Sequence, residues 1–168
     1  PSTEVSALLP EGPRSGPEAP LAAMYNNRLV SLSYPLRSGG DLRWVTLTDR
    51  AGWDVYRRSA SLMLYEAARR VDPRLRLVLH QTHGDALFYR ALRNGVRGGA
   101  VTQAVIDAVA CRELEAAMRQ VRDEALPFAV WQISVDEARD LLREQGHNDK
   151  LNLLRTHWET SVRVVTCG

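Results

Sequence analysis

The chain has 168 residues, 45% of them apolar and 25% charged, with a formal net charge of +2. A chain this long buries roughly 70% of its unfolded surface without staples. Its two cysteines, Cys111 and Cys167, make no disulfide framework, which predicts a reducing, cytoplasmic setting. No apolar run approaches the roughly 20 residues of a membrane span, and the first residues lack the charged-then-apolar pattern of a signal peptide, so no membrane partner is expected. Charge is uneven along the chain: Arg57 to Arg97 carries nine arginines and a net +6, whereas Thr102 to Gln145 carries a net −4. A basic half of this kind suits phosphate or RNA. It also suits a solvated face in a chain whose only lysine is Lys150.

Residues 1–20 hold five of the eight prolines and read as a disordered tether or the truncated start of a module, with a short helical turn over Thr3–Leu9. Residues 21–51 read as a small β-rich module. Leu21 to Leu32 alternates weakly around Tyr25-Asn26-Asn27, Tyr34-Pro35 breaks the run, Ser38 to Asp41 turns, and Leu42 to Leu47 is a strand. A third segment, 52–168, opens with an amphipathic helix over Trp53–Val71 that Asp72-Pro73 stops. Alternation then predicts a hairpin from Arg74–His80 and Ala86–Leu92 around Thr82 to Asp85. Thr102 is a good N-cap for a long helix to about Ala125, with Ile106, Ala110, Leu114, Ala117, Met118 and Val121 on its inner face. Phe128–Ile133 is a strand, and Ser134-Val-Asp-Glu137 is a capping box for a helix that Gly146 ends. Asn148 caps a shorter helix over Asp149–His157, and Thr160–Thr166 is a closing strand. The order describes an α+β fold in which helices pack on an antiparallel sheet.

Chemical signals are sparse. Gly95 to Thr102 lacks the Gly-Lys-Ser/Thr that a phosphate loop needs. Cys111 has no histidine beside it and no Gly-x-Ser-x-Gly is present, so nucleophilic catalysis has no support. His147 and His157, at helix ends, read as structural. His80 and His83 flank a turn, and together with Arg57 and Arg58 on the preceding helix they are the candidate residues of an anion-binding pocket. The pattern offers no metal site and no catalytic residue.

Three segments carry a family resemblance: Ala22 to Val30, Val55 to Ala68, and His80 to Tyr89. They resemble the N-terminal part of threonyl-tRNA synthetases, a small ubiquitin-like (β-grasp, TGS) module followed by the editing-type domain shared with alanyl-tRNA synthetases. They look still more like the version of that pair found in front of the kinase domain of uridine kinase-like nucleoside kinases. Leu126-Pro127, Glu137-Ala138 and Gly146 to Leu154 extend the likeness over about Leu21 to Gly168. The resemblance implies a partial β-grasp module over 21–51, without its first hairpin, and an editing-like domain over 52–168.

In the synthetases, the first editing helix carries two histidines four residues apart that can bind a metal or orient water. Arg58 and Leu62 stand at those positions. A leucine transfers no proton and an arginine stays charged at any usable pH. The second half of that set, a Cys-x-x-x-His pair, would fall near or beyond Cys167. The resemblance therefore implies a non-catalytic accessory region with a ligand-binding or regulatory role, binding a nucleotide or RNA. Its partner would be a kinase domain in the same polypeptide, continuing past Gly168. The segment itself would need no cofactor, while the parent kinase would use ATP and magnesium. The alternatives are an aminoacyl-tRNA deacylase with altered catalytic residues and a structural oligomerisation module.

Overall fold

The computed structural model describes residues 3–95 and 100–167, with the side chains of Asn148 and Asp149 outside that description. Most of the glycine cluster expected to link the hairpin to the next element, residues 96–99, lies outside the described residues. The chain is mixed α+β and divides into two compact units, Pro1–Ser61 and Leu62–Gly168.

In the first unit, β2 (Ala22–Tyr25) is the centre of a three-stranded antiparallel sheet, flanked by β3 (Arg28–Val30) and β5 (Leu42–Val45). The β2–β3 hairpin turns through Asn26 and Asn27, at φ 48° and 63°. Two left-handed residues make the mirror-image turn that matches strand twist, and asparagine tolerates that conformation better than most residues. The Asn26 side chain then accepts the Asp41 backbone N–H at 3.0 Å, which ties the hairpin tip to the entry of β5. A side chain at Gly40 would collide with Asn26, so the glycine makes this approach feasible.

A second, two-stranded pair joins β1 (Thr3–Glu4) to β4 (Pro35–Leu36). Between β1 and β2, a 3-10 turn at Val5–Leu8 drives Val5 to complete burial against Ala23 and Val30, under a cover that includes Tyr25, Tyr34 and Trp44. Ala19 is also buried, so part of the proline-rich segment packs into this unit.

Helix α1 (Arg50–Val71) starts three residues earlier than the apolar spacing predicts. The reason is local: Asp49 accepts the Thr46 N–H on its carboxylate at 2.9 Å and the Trp53 N–H on its backbone carbonyl at 3.0 Å, so the helix is nucleated from the preceding turn. Arg43 pairs with the same carboxylate at 2.9 Å. The hydrogen bond from Thr46 and the Arg43 guanidinium hold the Asp49 carboxyl below its usual range.

The C-terminal half of α1 belongs to the second unit. There β6 (Leu75–His83) and β7 (Ala86–Arg93) form a hairpin longer than its alternation suggests, because the strands run into the turn and leave only Gly84 and Asp85 to connect them. Gly84 takes φ 56°, which suits a two-residue connection. The long helix expected from Thr102 to about Ala125 forms, but not from Thr102. Thr102–Gln103 is instead a short strand, β8, paired with Leu92 and Arg93. Helix α2 (Ala108–Asp123) begins later, at Asp107, whose carboxylate accepts the N–H groups of Val109 and Ala110 at 3.0 and 2.8 Å. Both Thr102 and Asp107 are cap residues, and the ladder claims the first.

The core here joins Ala68, Leu75, Ala91 and Leu114, with Ala104 and Ile106 packed against it. β9 (Phe128–Ser134) and β10 (Ser161–Cys167) pair antiparallel from Phe128–Cys167 to Ser134–Ser161. Between them lie α3 (Val135–Glu144) and α4 (Asn148–Arg155). The capping box is present, with Ser134 Oγ accepting the Glu137 N–H and the Glu137 carboxylate accepting the Ser134 N–H. Gly146, at φ 71°, closes α3 as expected. Asn148 is not the cap of α4. His147 occupies that position without a side-chain hydrogen bond to the helix.

Candidate functional site

The four sequence-predicted residues fall into two pairs. Arg57 and Arg58 lie on α1 within the first unit, Arg57 half-buried and Arg58 exposed. His80 and His83 lie on β6 within the second unit, both exposed. The strand register passes from Leu79–Tyr89 to Gln81–Phe88, which makes His80 the extra residue of a β-bulge. Bulges re-aim side chains, and this one interrupts the alternation between Leu79 and the strand tip. His83 pairs across the tip with Ala86.

Arg58 and Leu62 are followed on the same helical stripe by Glu66 and Arg70, since residues four apart are neighbours on a helix. Glu66 is not a free carboxylate. Arg69 grips it at 2.9 Å and Arg70 at 2.8 Å, and Arg70 also makes a two-pronged pair with Glu124 at the end of α2, at 2.7 and 2.8 Å. The Arg69 hydrogen bond is the main reason the Glu66 carboxyl lies below its usual range, with Arg70 adding to it and burial opposing. Arg70 in turn holds Glu124 down. A carboxylate stabilised this way is a poor general base near neutral pH.

Cys167, at the end of β10, feels the same cluster. Burial pushes its thiol up, and the negative charge of Glu66 pushes it further while Arg70 opposes. The thiolate is the nucleophile and the metal ligand, and this environment disfavours it. Among the described residues no group of three or more His, Cys, Asp or Glu side chains is placed to hold a metal ion.

Sequence reading missed this clamp. The Glu66-Arg70 spacing was a visible signal for a helical ion pair. Glu124, 54 residues away from Arg70, gave none.

No protein-family model matches the chain. It is similar to threonine-tRNA ligases: 27% identical to that of Carboxydothermus hydrogenoformans over 143 residues, covering 85% of this chain and 21% of the ligase. The ligase of Desulforamulus reducens is 28% identical over 134 residues, 80% of this chain and 20% of the relative. That of Rubrobacter xylanophilus is 29% identical over 143 residues, 85% and 20%. The chain thus corresponds to about one fifth of the length of the curated relatives it matches. The threonyl-tRNA synthetase half of the resemblance therefore rests on independent similarity. These relatives are ligases and lend no support to the expected uridine kinase parent or to a kinase domain as partner. Among the described residues no helix is long and apolar enough to cross a membrane.

Proposed function

We propose that the chain is a synthetase-related module that holds the aminoacylated end of a tRNA and lacks the histidine-based hydrolysis of an editing domain. The observation that carries this reading is the match of 85% of the chain to one fifth of a threonine-tRNA ligase, combined with Arg58 and Leu62 at the helix positions where the synthetase pattern has histidines. Two further features support it. Glu66 is clamped by two arginines, and Cys167 is kept as a thiol, so neither offers replacement chemistry. The β-grasp character of residues 21–51 and the editing-like character of 52–168 belong to the same proposal.

In this reading the two candidate pairs are separate phosphate contacts. Arg57 and Arg58 present guanidinium forks that suit phosphate oxygens, and His80 and His83 add imidazole donors on the hairpin tip. The test is a deacylation assay on mischarged and correctly charged tRNA, run beside a binding measurement. Binding with release of amino acid no faster than in buffer is the expected result. Turnover well above buffer would overturn the non-catalytic reading in favour of a deacylase with substituted residues.

A further inference from the structure

A polar pocket lies in the second unit, away from the Glu66–Cys167 cluster, at the Ser161 end of β10. It is an open depression of about 350 Å³ lined by Gln132, His157, Glu159, Ser161, Val162 and Arg163. Its floor follows from strand register. Gln132 and Arg163 are directly opposed across the β9–β10 ladder, and Ser161 is two residues along the same strand, so all three side chains share one face. Gln132 Nε2 donates to Ser161 Oγ at 2.8 Å, which leaves the serine hydroxyl proton and the glutamine carbonyl free to meet a ligand. The wall is the α4–β10 loop, anchored where His157 Nε2 approaches the Ser161 carbonyl at 3.2 Å.

Two opposite charges, Arg163 and Glu159, line this pocket. Most ion pairs elsewhere are closed at 2.6 to 3.0 Å. Here Arg163 makes no ion pair among the described residues, and Glu159 reaches only His157, at 3.8 Å. A cation and an anion thus face one small volume without meeting. Between the lining residues His157 and Glu159 the loop carries Trp158, 87% exposed, an apolar side chain adjacent in sequence to the pocket and free to fold over a ligand. Binding sites combine these elements: a few convergent polar groups and an apolar surface to cover the ligand.

The geometry points to a binding site for a small zwitterion, an amino acid or dipeptide, with its carboxylate on Arg163 and its ammonium on Glu159. Gln132 and Ser161 hydrogen-bond the atoms between the two charges, and Trp158 covers them. This inference does not depend on the tRNA reading, because it uses different residues and a ligand that needs no nucleic acid.

The test is an NMR titration of the chain with glycylglycine, and separately with acetate and with methylammonium. Saturable shifts at the Ser161 and Arg163 amides and the Trp158 indole are expected with the dipeptide. Arg163→Ala and Glu159→Gln should each weaken it by about tenfold, the effect of losing one charge-assisted contact. Both side chains are exposed, so the variants should fold. Acetate and methylammonium should bind more weakly by a similar factor. Absence of shifts at about 50 mM dipeptide, well above the millimolar range of weak binding, would overturn the inference. So would binding unchanged in both variants, or acetate binding as tightly as the dipeptide.

Discussion

The two halves of α1 put arginine to opposite uses. In the first half, Arg57 and Arg58 make no ion pair among the described residues. In the second half, Arg69 and Arg70 are both committed to Glu66, and Arg70 also to Glu124. The net positive charge of the stretch therefore overstates what is available to a polyanion. Only side chains without an internal carboxylate retain their full attraction for phosphate, because a closed pair has already neutralised itself. The first half therefore keeps its arginines available, while the second half uses them in packing between elements.

The largest effect expected is on the architecture around that second half. Leu114→Ala removes a buried side chain that packs with Ala68, Leu75 and Ala91, and should cost about 3 kcal/mol in urea denaturation. In the first unit, a Cβ at Gly52 would fall on the backbone carbonyl of Thr46, which cannot swing aside as a side chain would. Gly52→Ala should therefore cost about 2 kcal/mol despite improving helix propensity. An unchanged midpoint would show that the turn leading into α1 is looser than described.

Recognition should respond to the other arginines. Arg57→Ala and Arg58→Ala are each expected to weaken RNA binding by a few-fold to about tenfold and to lower the slope of log affinity against log salt by about 1. Arg70→Met should leave that slope unchanged, because its charge is already spent on carboxylates. Equal slopes for all three variants would break the comparison.

The smallest effect concerns pH. The Glu66 and Glu124 carboxyls lie below their usual range in the folded chain, Glu66 through Arg69 first and Glu124 through Arg70. A carboxyl whose folded value is depressed contributes stability above its unfolded value, about 4.3. That contribution is lost as pH falls through the lower folded value. Glu124→Gln should flatten this acid limb, modestly because the pair is solvent-accessible. An acid limb identical to the unsubstituted chain would show the Arg70–Glu124 pair to be incidental.

Much of the fold was legible in local sequence. Ser134 to Glu137 announced its capping box, and Gly146 announced the end of α3. The weak alternation of Leu21 to Leu32 was legible, but the hairpin that Asn26 and Asn27 make within it shows only in their φ values. Legibility failed where two local signals competed, as with Thr102 and Asp107, both good caps. The ladder to Leu92 and Arg93 decided between them, and that pairing is not a local property. The candidate site was legible only in part. The absence of histidine at positions 58 and 62 is plain in the sequence, and so is the spacing of Glu66 from Arg69 and Arg70, but the second commitment of Arg70, to Glu124, joins residues far apart in the chain. The pocket beside Ser161 depends on Gln132 standing opposite Arg163, a register that alternation alone does not set.

The most direct test of the central claim uses tRNA charged with labelled amino acid. The chain should bind it, with affinity falling steeply as salt rises, and release no label beyond the buffer rate. Arg57→Ala with Arg58→Ala should abolish most of the binding. Catalytic release of the label, lost on His80→Ala or His83→Ala, would contradict the account and show that this module still hydrolyses the ester by other residues.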